Sequence, residues 1–62
     1  MYEKYAEIRD REGLNDNRVA KATGIPRSTF TEWRYGRSKP KVEKLVKIAA
    51  ALNCSIMDLV GE

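Results

Sequence analysis

One short segment of this chain combines an arginine with hydroxyl side chains and an acid at helical spacing. Ser28, Thr31, Glu32 and Tyr35 point to one side of a helix that advances ~100° per residue, and Arg27 reaches forward from its first turn. An arginine fork matches the O6 and N7 acceptors of guanine, hydroxyl groups bond to base edges, and a glutamate accepts from cytosine N4. The segment therefore predicts a helix whose polar face reads the base pairs of duplex DNA.

The opposite side of the same helix carries Phe30 and Trp33, three residues apart. We interpret both rings as core anchors and not as platforms on which bases stack. Two alternatives remain open for the polar face. Ser28 and Thr29 lie where hydroxyl groups often only cap a helix start, and Glu32 could hold Arg27 in place instead of bonding to a base.

A basic segment follows this helix and contains little acid. Contacts from such side chains to phosphate set the register and the affinity of a DNA complex without reading its sequence. The candidates for phosphate contacts here are Arg34, Tyr35, Arg37, Lys39 and Lys41.

The charge of the chain is unevenly distributed. The total is +3, yet residues 27–47 hold seven basic and two acidic side chains, a net charge of +5, and the remainder carries −2. A molecule polarised in this way suits an anionic partner on one side. The alternative is a basic surface that serves only solubility.

Length and composition exclude several classes of protein. The 62 residues predict one domain, residues 1–62, which is too small to enclose a catalytic cleft. We therefore expect no enzyme and no small-molecule substrate, and we interpret Glu3, Glu7, Asp10 and Glu12 as a solvated face of the first helix. One cysteine and no histidine allow neither a zinc site nor an internal disulfide, so we expect no metal and no cofactor.

The same composition predicts where the chain acts. A lone cysteine fits a reducing compartment, and no apolar run approaches the ~18 residues that a membrane span needs. The first residues carry acid and lack a long apolar core, so we expect no signal peptide. These features predict a cytoplasmic protein without a membrane partner.

Hydrophobic spacing and capping residues predict a chain made almost entirely of helices, with no alternating pattern typical of strands. The predicted helices are Tyr2–Arg11, Asn15–Thr23, Pro26–Tyr35, Lys41–Leu52 and Ile56–Val60. Asn15 is expected to cap the second helix, Pro26 to open the third, and Ser55 with Asp58 to form a capping box on the fifth. The expected core is Tyr5, Ile8, Leu14, Val19, Ala20, Ile25, Phe30, Trp33, Val42, Leu45, Ile48, Ala49, Leu52, Ile56 and Leu59.

The segment from Leu14 to Gly36 resembles the helix-turn-helix of the Cro/repressor (XRE-type) family. The residues that carry the likeness in this segment are Ala20, Gly24, Ile25, Phe30 and Trp33, and the later ones are Lys39, Pro40, Leu45, Ile48, Ala49, Leu52, Ile56, Asp58 and Leu59. The resemblance implies an all-α, compact five-helix domain of lambda-repressor-like fold that binds operator DNA, usually as a two-fold dimer. It places base reading at Arg27, Ser28, Thr29 and Glu32, and phosphate contacts near the start of the second helix and in the loop through Lys41.

Three positions depart from the family pattern. Asp16 stands where the family often has a phosphate-contacting Gln, and since a carboxylate repels phosphate, Asn17 is expected to take over that contact. Arg34 stands where the family often has a Glu that pairs with an arginine of the first helix, so Arg9 needs another acid or solvent, and Arg34 is free to turn toward DNA. Lys41 replaces a capping Ser at the start of the fourth helix.

These features predict a sequence-specific regulator of phage or bacterial type that represses transcription by occupying a palindromic operator as a homodimer. The fifth helix, with Val60 and Gly61, is the expected dimer surface. A second hypothesis is a protein-interaction module on the same fold, such as an antitoxin or an adaptor, which Asp16 favours and the basic segment disfavours.

Overall fold

The computed structural model describes residues 2–60, and these form five α-helices without a strand. The helices are α1 (Tyr2–Arg11), α2 (Asp16–Thr23), α3 (Arg27–Arg34), α4 (Val42–Ala51) and α5 (Ile56–Val60). The predicted all-α fold class is confirmed. None of these helices is long and apolar enough to cross a membrane.

Local capping groups explain where several helices begin and end. The Asn15 side chain accepts a hydrogen bond of 2.9 Å from the backbone N–H of Arg18, as expected for an N-cap. Gly24 ends α2 at a φ of 76°, a left-handed conformation that costs glycine little. The capping box on α5 is also confirmed, since the Ser55 N–H donates to Asp58 (3.1 Å) and the Asp58 N–H donates to the Ser55 hydroxyl (3.3 Å).

Three predicted helices were one residue too long at one or both ends. Asn15, Pro26 and Lys41 are N-cap residues outside the helices that follow them, and Tyr35 and Leu52 are C-caps. Such flanking residues share part of the hydrogen-bond pattern of the helix, so sequence patterns include them. Lys41 makes no capping bond through its side chain, in agreement with the loss expected there.

The core joins all five helices around an aromatic centre. Tyr5 and Phe30 are fully buried, Trp33 is nearly so, and Ile48, Leu52 and Leu59 close the core from α4 and α5. Leu14 and Ile56, which were expected in the core, are half-buried and pack against its edge.

Val42 is a correction, because it was expected in the core and its exposed fraction is 69%. The buried side of α4 is centred on Leu45, Ile48 and Leu52. At ~100° per residue, Val42 lies at the margin of that side and in the first turn, where little chain covers it. Val46, four residues on, lies still farther from the centre of that side and is 49% exposed.

Candidate nucleic-acid interface

The inner side of α3 is held by aromatic packing against α1. The ring centroid of Tyr5 lies 5.6 Å from that of Phe30 and 4.8 Å from that of Trp33. Tyr2 meets the indole edge-to-face at 5.5 Å, while the buried Trp33 Nε1–H has no hydrogen-bond acceptor within residues 2–60. Both α3 aromatics are therefore core residues, as predicted, and the rotation of α3 about its axis is fixed.

The outer side of α3 is open to solvent. Arg27, Ser28 and Thr31 are exposed, and Thr29 and Glu32 are half-buried. No side chain caps the start of α3, where Pro26 occupies the N-cap position. The alternative in which Ser28 or Thr29 only caps the helix is therefore not seen, and these hydroxyl groups stay available to an external partner.

A groove of about 560 Å³ opens between α1, the start of α2 and the outer side of α3. Six of the side chains that line it are Arg9, Asp16, Asn17, Arg27, Thr31 and Arg34. Arg27 and Arg34 pair with no carboxylate in the described part of the chain. Two predicted base-reading residues thus share one groove with predicted phosphate-contacting residues, and the groove carries unpaired positive charge.

Tyr35 also lines this groove, and its ring contacts two arginines. Tyr35 is 63% exposed, and the guanidinium carbons of Arg34 and Arg37 lie 5.8 and 5.2 Å from the centroid of its ring. Cation–π contacts of this kind restrain both arginine side chains at the surface. The basic segment continues beyond the groove with Lys39 and Lys41, both exposed.

Glu32 pairs with Arg37 and not with Arg27. Arg37 Nε donates to both carboxylate oxygens of Glu32 at 3.1 Å, and its Nη2 lies 2.9 Å from Oε2. Hydrogen bonds to Glu32 raise the pKa of the Arg37 guanidinium. The interpretation that Glu32 holds Arg27 in place is wrong, because the turn after α3 brings Arg37 back over the last turn of the helix.

Arg9 finds its acid in Asp16, a pairing that the sequence did not indicate. Arg9 Nη1 lies 2.8 Å from Asp16 Oδ1, and its Nε and Nη2 bond to Asp10. Burial alone would raise the pKa of Asp16, but hydrogen bonds from Tyr5, Arg9 and Tyr2 outweigh it and hold this pKa below its ordinary value. The carboxylate therefore stays ionised and is neutralised within the protein.

The acids expected on the solvated face of the first helix, and the predicted dimer surface on α5, are not among the side chains that line this groove. Glu3, Glu7 and Asp10 are exposed on α1, and Glu12 is exposed just after it. Within residues 2–60, no group of acidic or cysteine side chains is arranged to hold a metal ion. On α5, Val60 is half-buried while Met57 is 66% exposed. Gly61, the other residue expected at a dimer surface, lies outside the described residues.

Comparisons with known proteins identify the family. The helix-turn-helix family profile matches residues 6–59, which contain α2, α3 and all the groove side chains named above. No curated protein and no solved structure shows significant similarity to the chain. The family is one of DNA-binding domains and not of enzymes. The chain belongs to the helix-turn-helix family and is a DNA-binding domain of the Cro/repressor type.

Proposed function

We propose that this protein binds a specific sequence of duplex DNA through the outer side of α3 and regulates transcription as a repressor. The observation that carries the proposal is the contrast across α3. Its aromatic side is locked into the core, while its other side presents an arginine and hydroxyl groups beside a groove with unpaired positive charge. A short helix with small exposed side chains fits the major groove of B-DNA, where each base pair shows a distinct pattern of donors and acceptors.

Base reading is assigned to residues on the exposed side of α3. Arg27 is the strongest candidate, because it is exposed, lacks an acid partner and matches guanine in two hydrogen bonds. The full proposed set is Arg27, Ser28, Thr29, Thr31 and Glu32. In the complex, Arg37 would exchange Glu32 for a phosphate, which leaves the carboxylate free to accept from cytosine N4.

Phosphate contacts are assigned to the groove and to the basic segment after α3. The proposed set is Asn17, Arg34, Tyr35, Arg37, Lys39 and Lys41. Asn17 and Arg34 line the groove, and Lys39 and Lys41 are exposed in the segment after α3. Together they would fix the position of α3 on the duplex without reading its sequence.

A two-fold dimer would place two copies of α3 about 34–36 Å apart, one turn of B-DNA, and would select a palindromic operator. We propose α5 as the dimer surface, since Met57 is exposed there. Occupation of such an operator would exclude polymerase and repress transcription in the cytoplasm of a bacterial host.

The alternative of a protein-interaction module receives no support of its own. Asp16 favoured it as a carboxylate that would repel phosphate. Because Asp16 binds Arg9 and two tyrosine hydroxyl groups, its charge is no longer an argument against DNA.

Selection from a random duplex library tests this proposal. We expect enrichment of a palindrome whose half-sites are one helical turn apart, with an affinity that falls by about 0.9 log units per log unit of salt for each phosphate neutralised. Failure to enrich any sequence, together with affinity that does not change with salt, would contradict the proposed function.

A further inference from the structure

Asp16 brings a negative charge to the edge of a groove that is otherwise basic. Its Oδ1 accepts from the Tyr5 hydroxyl at 2.7 Å and from Arg9 Nη1 at 2.8 Å, and its Oδ2 accepts from the Tyr2 hydroxyl at 3.0 Å. The side chains of Asp16 and Arg9 are 22% and 17% exposed. Both side chains line the groove, and they form an ion pair with each other.

The pairing removes two opposite charges from the groove at once. An unpaired Asp16 would repel a phosphate, and an unpaired Arg9 would attract one, because both side chains line the same groove as Arg27 and Arg34. The Asp16–Arg9 pair carries no net charge, and Asp10, which also bonds to Arg9, does not line the groove. Arg27 and Arg34, which have no carboxylate partner within residues 2–60, then supply the positive charge of the groove.

We propose that Asp16 sets how strongly this groove attracts a phosphate of the duplex. It does so by binding Arg9 within the protein, which leaves Arg27 and Arg34 as the cations of the groove that attract phosphate. Asp16 is thus a positioning residue that limits the non-specific, charge-driven part of DNA binding. This inference rests on the proposed DNA-binding function and adds a determinant of affinity that lies outside α3.

The consequence is a pair of single variants with opposite effects on binding. Asp16→Asn keeps one acceptor oxygen, which can still accept from the Tyr5 hydroxyl, and replaces the acceptor of Tyr2 by an NH2 group. It leaves Arg9 with Asp10 as its one carboxylate partner, outside the groove, so the groove gains positive charge and binding to a non-specific duplex should tighten. Arg9→Gln leaves the Asp16 carboxylate unpaired, so binding should weaken. Both variants disturb the same hydrogen-bonded cluster and both should lower the melting temperature. A role confined to stability therefore predicts changes in the same direction.

The experiment titrates a labelled non-specific duplex at several salt concentrations with the unaltered chain, Asp16→Asn, Arg9→Gln and the double variant. Circular dichroism establishes that each chain is folded at the temperature used. We expect the plot of log affinity against log salt to steepen by about 0.9 for Asp16→Asn and to flatten by about 0.9 for Arg9→Gln. The double variant should return to the slope of the unaltered chain.

The outcomes separate this inference from the proposed function. If the unaltered chain binds with strong salt dependence but the four slopes coincide, or if both single variants only weaken binding, the role of Asp16 is overturned. If the unaltered chain does not bind duplex at all, the proposed function itself fails. Should Asp16→Asn not fold, Arg9→Lys and Arg9→Gln decide: Lys should preserve the slope and Gln should flatten it, whereas equal slopes would overturn the inference.

Discussion

The eight residues of α3 divide into a buried aromatic side and an exposed polar side, and the two sides have different roles. Phe30 and Trp33 have lost nearly all of their exposure to solvent, whereas Arg27, Ser28 and Thr31 keep theirs. The aromatic side contributes free energy of folding, because burial of large apolar surface is the main favourable contribution in a small domain. The polar side makes few internal contacts and is free to bind. Stability and recognition are therefore separable by substitutions a few residues apart on one helix.

The largest effect should come from the inner side. Phe30→Ala removes a fully buried ring and leaves a cavity, which should lower the free energy of unfolding by about 3–5 kcal/mol. In a domain of this size such a loss approaches the whole stability. Urea denaturation followed by circular dichroism measures it. The matched control is Thr31→Ala on the outer side, for which we expect a change within about 0.5 kcal/mol; equal losses in the two variants would break the comparison.

The next effect belongs to the outer side. Arg27→Ala should weaken binding to the selected operator by ~1–3 kcal/mol more than it weakens binding to unrelated duplex, while the urea midpoint stays nearly constant. Parallel titrations of both duplexes measure the difference. Arg11→Ala removes an exposed cation that does not line the groove and serves as the control. Undiminished operator affinity in Arg27→Ala would remove Arg27 from the base-reading set.

A smaller effect should distinguish two arginines that share the Tyr35 ring. Arg34 has no acid partner in the described structure, whereas Arg37 must give up Glu32 to reach a phosphate. Arg34→Gln should therefore flatten the salt dependence by about 0.9, and Arg37→Gln by less. Salt titrations of both variants test this order, and the reverse order would show that the Glu32 pair does not restrain Arg37.

The smallest predicted effect is a loss of folding stability at low pH. The pKa of Asp16 lies below its ordinary value of 3.8, because hydrogen bonds from Tyr5, Arg9 and Tyr2 outweigh the burial that would raise it. The folded chain thus holds this proton less tightly than the unfolded chain, so Asp16 stabilises the fold above about pH 4 and loses that contribution as pH falls through its folded pKa. Thermal melts between about pH 5 and pH 2 should show a steeper loss for the unaltered chain and for Arg27→Ala than for Asp16→Asn. Parallel curves for all three would contradict the assignment.

What could be predicted from the sequence was mostly local. The Asn15 cap and the capping box of Ser55 with Asp58 depend on residues within a few positions of each other, and both were confirmed. The inward direction of Phe30 and Trp33 follows from helical spacing alone.

Contacts between side chains of different helices could not be predicted in this way. The bond from Arg9 to Asp16 depends on how α1 approaches the start of α2. The burial expected for Val42 was wrong for a related reason. Periodicity gives the direction of a side chain on its helix but not whether another element covers it.

Amide chemical-shift mapping by NMR tests most directly the claim that the outer side of α3 meets DNA. On addition of operator duplex to the labelled chain, we predict the largest shifts at Arg27, Ser28, Thr31 and Arg34, with Asn17 affected and α5 changed only if dimers form. Shifts concentrated at the backbone amides of Val42, Val46 and Met57, with those of α3 unchanged, would contradict the account.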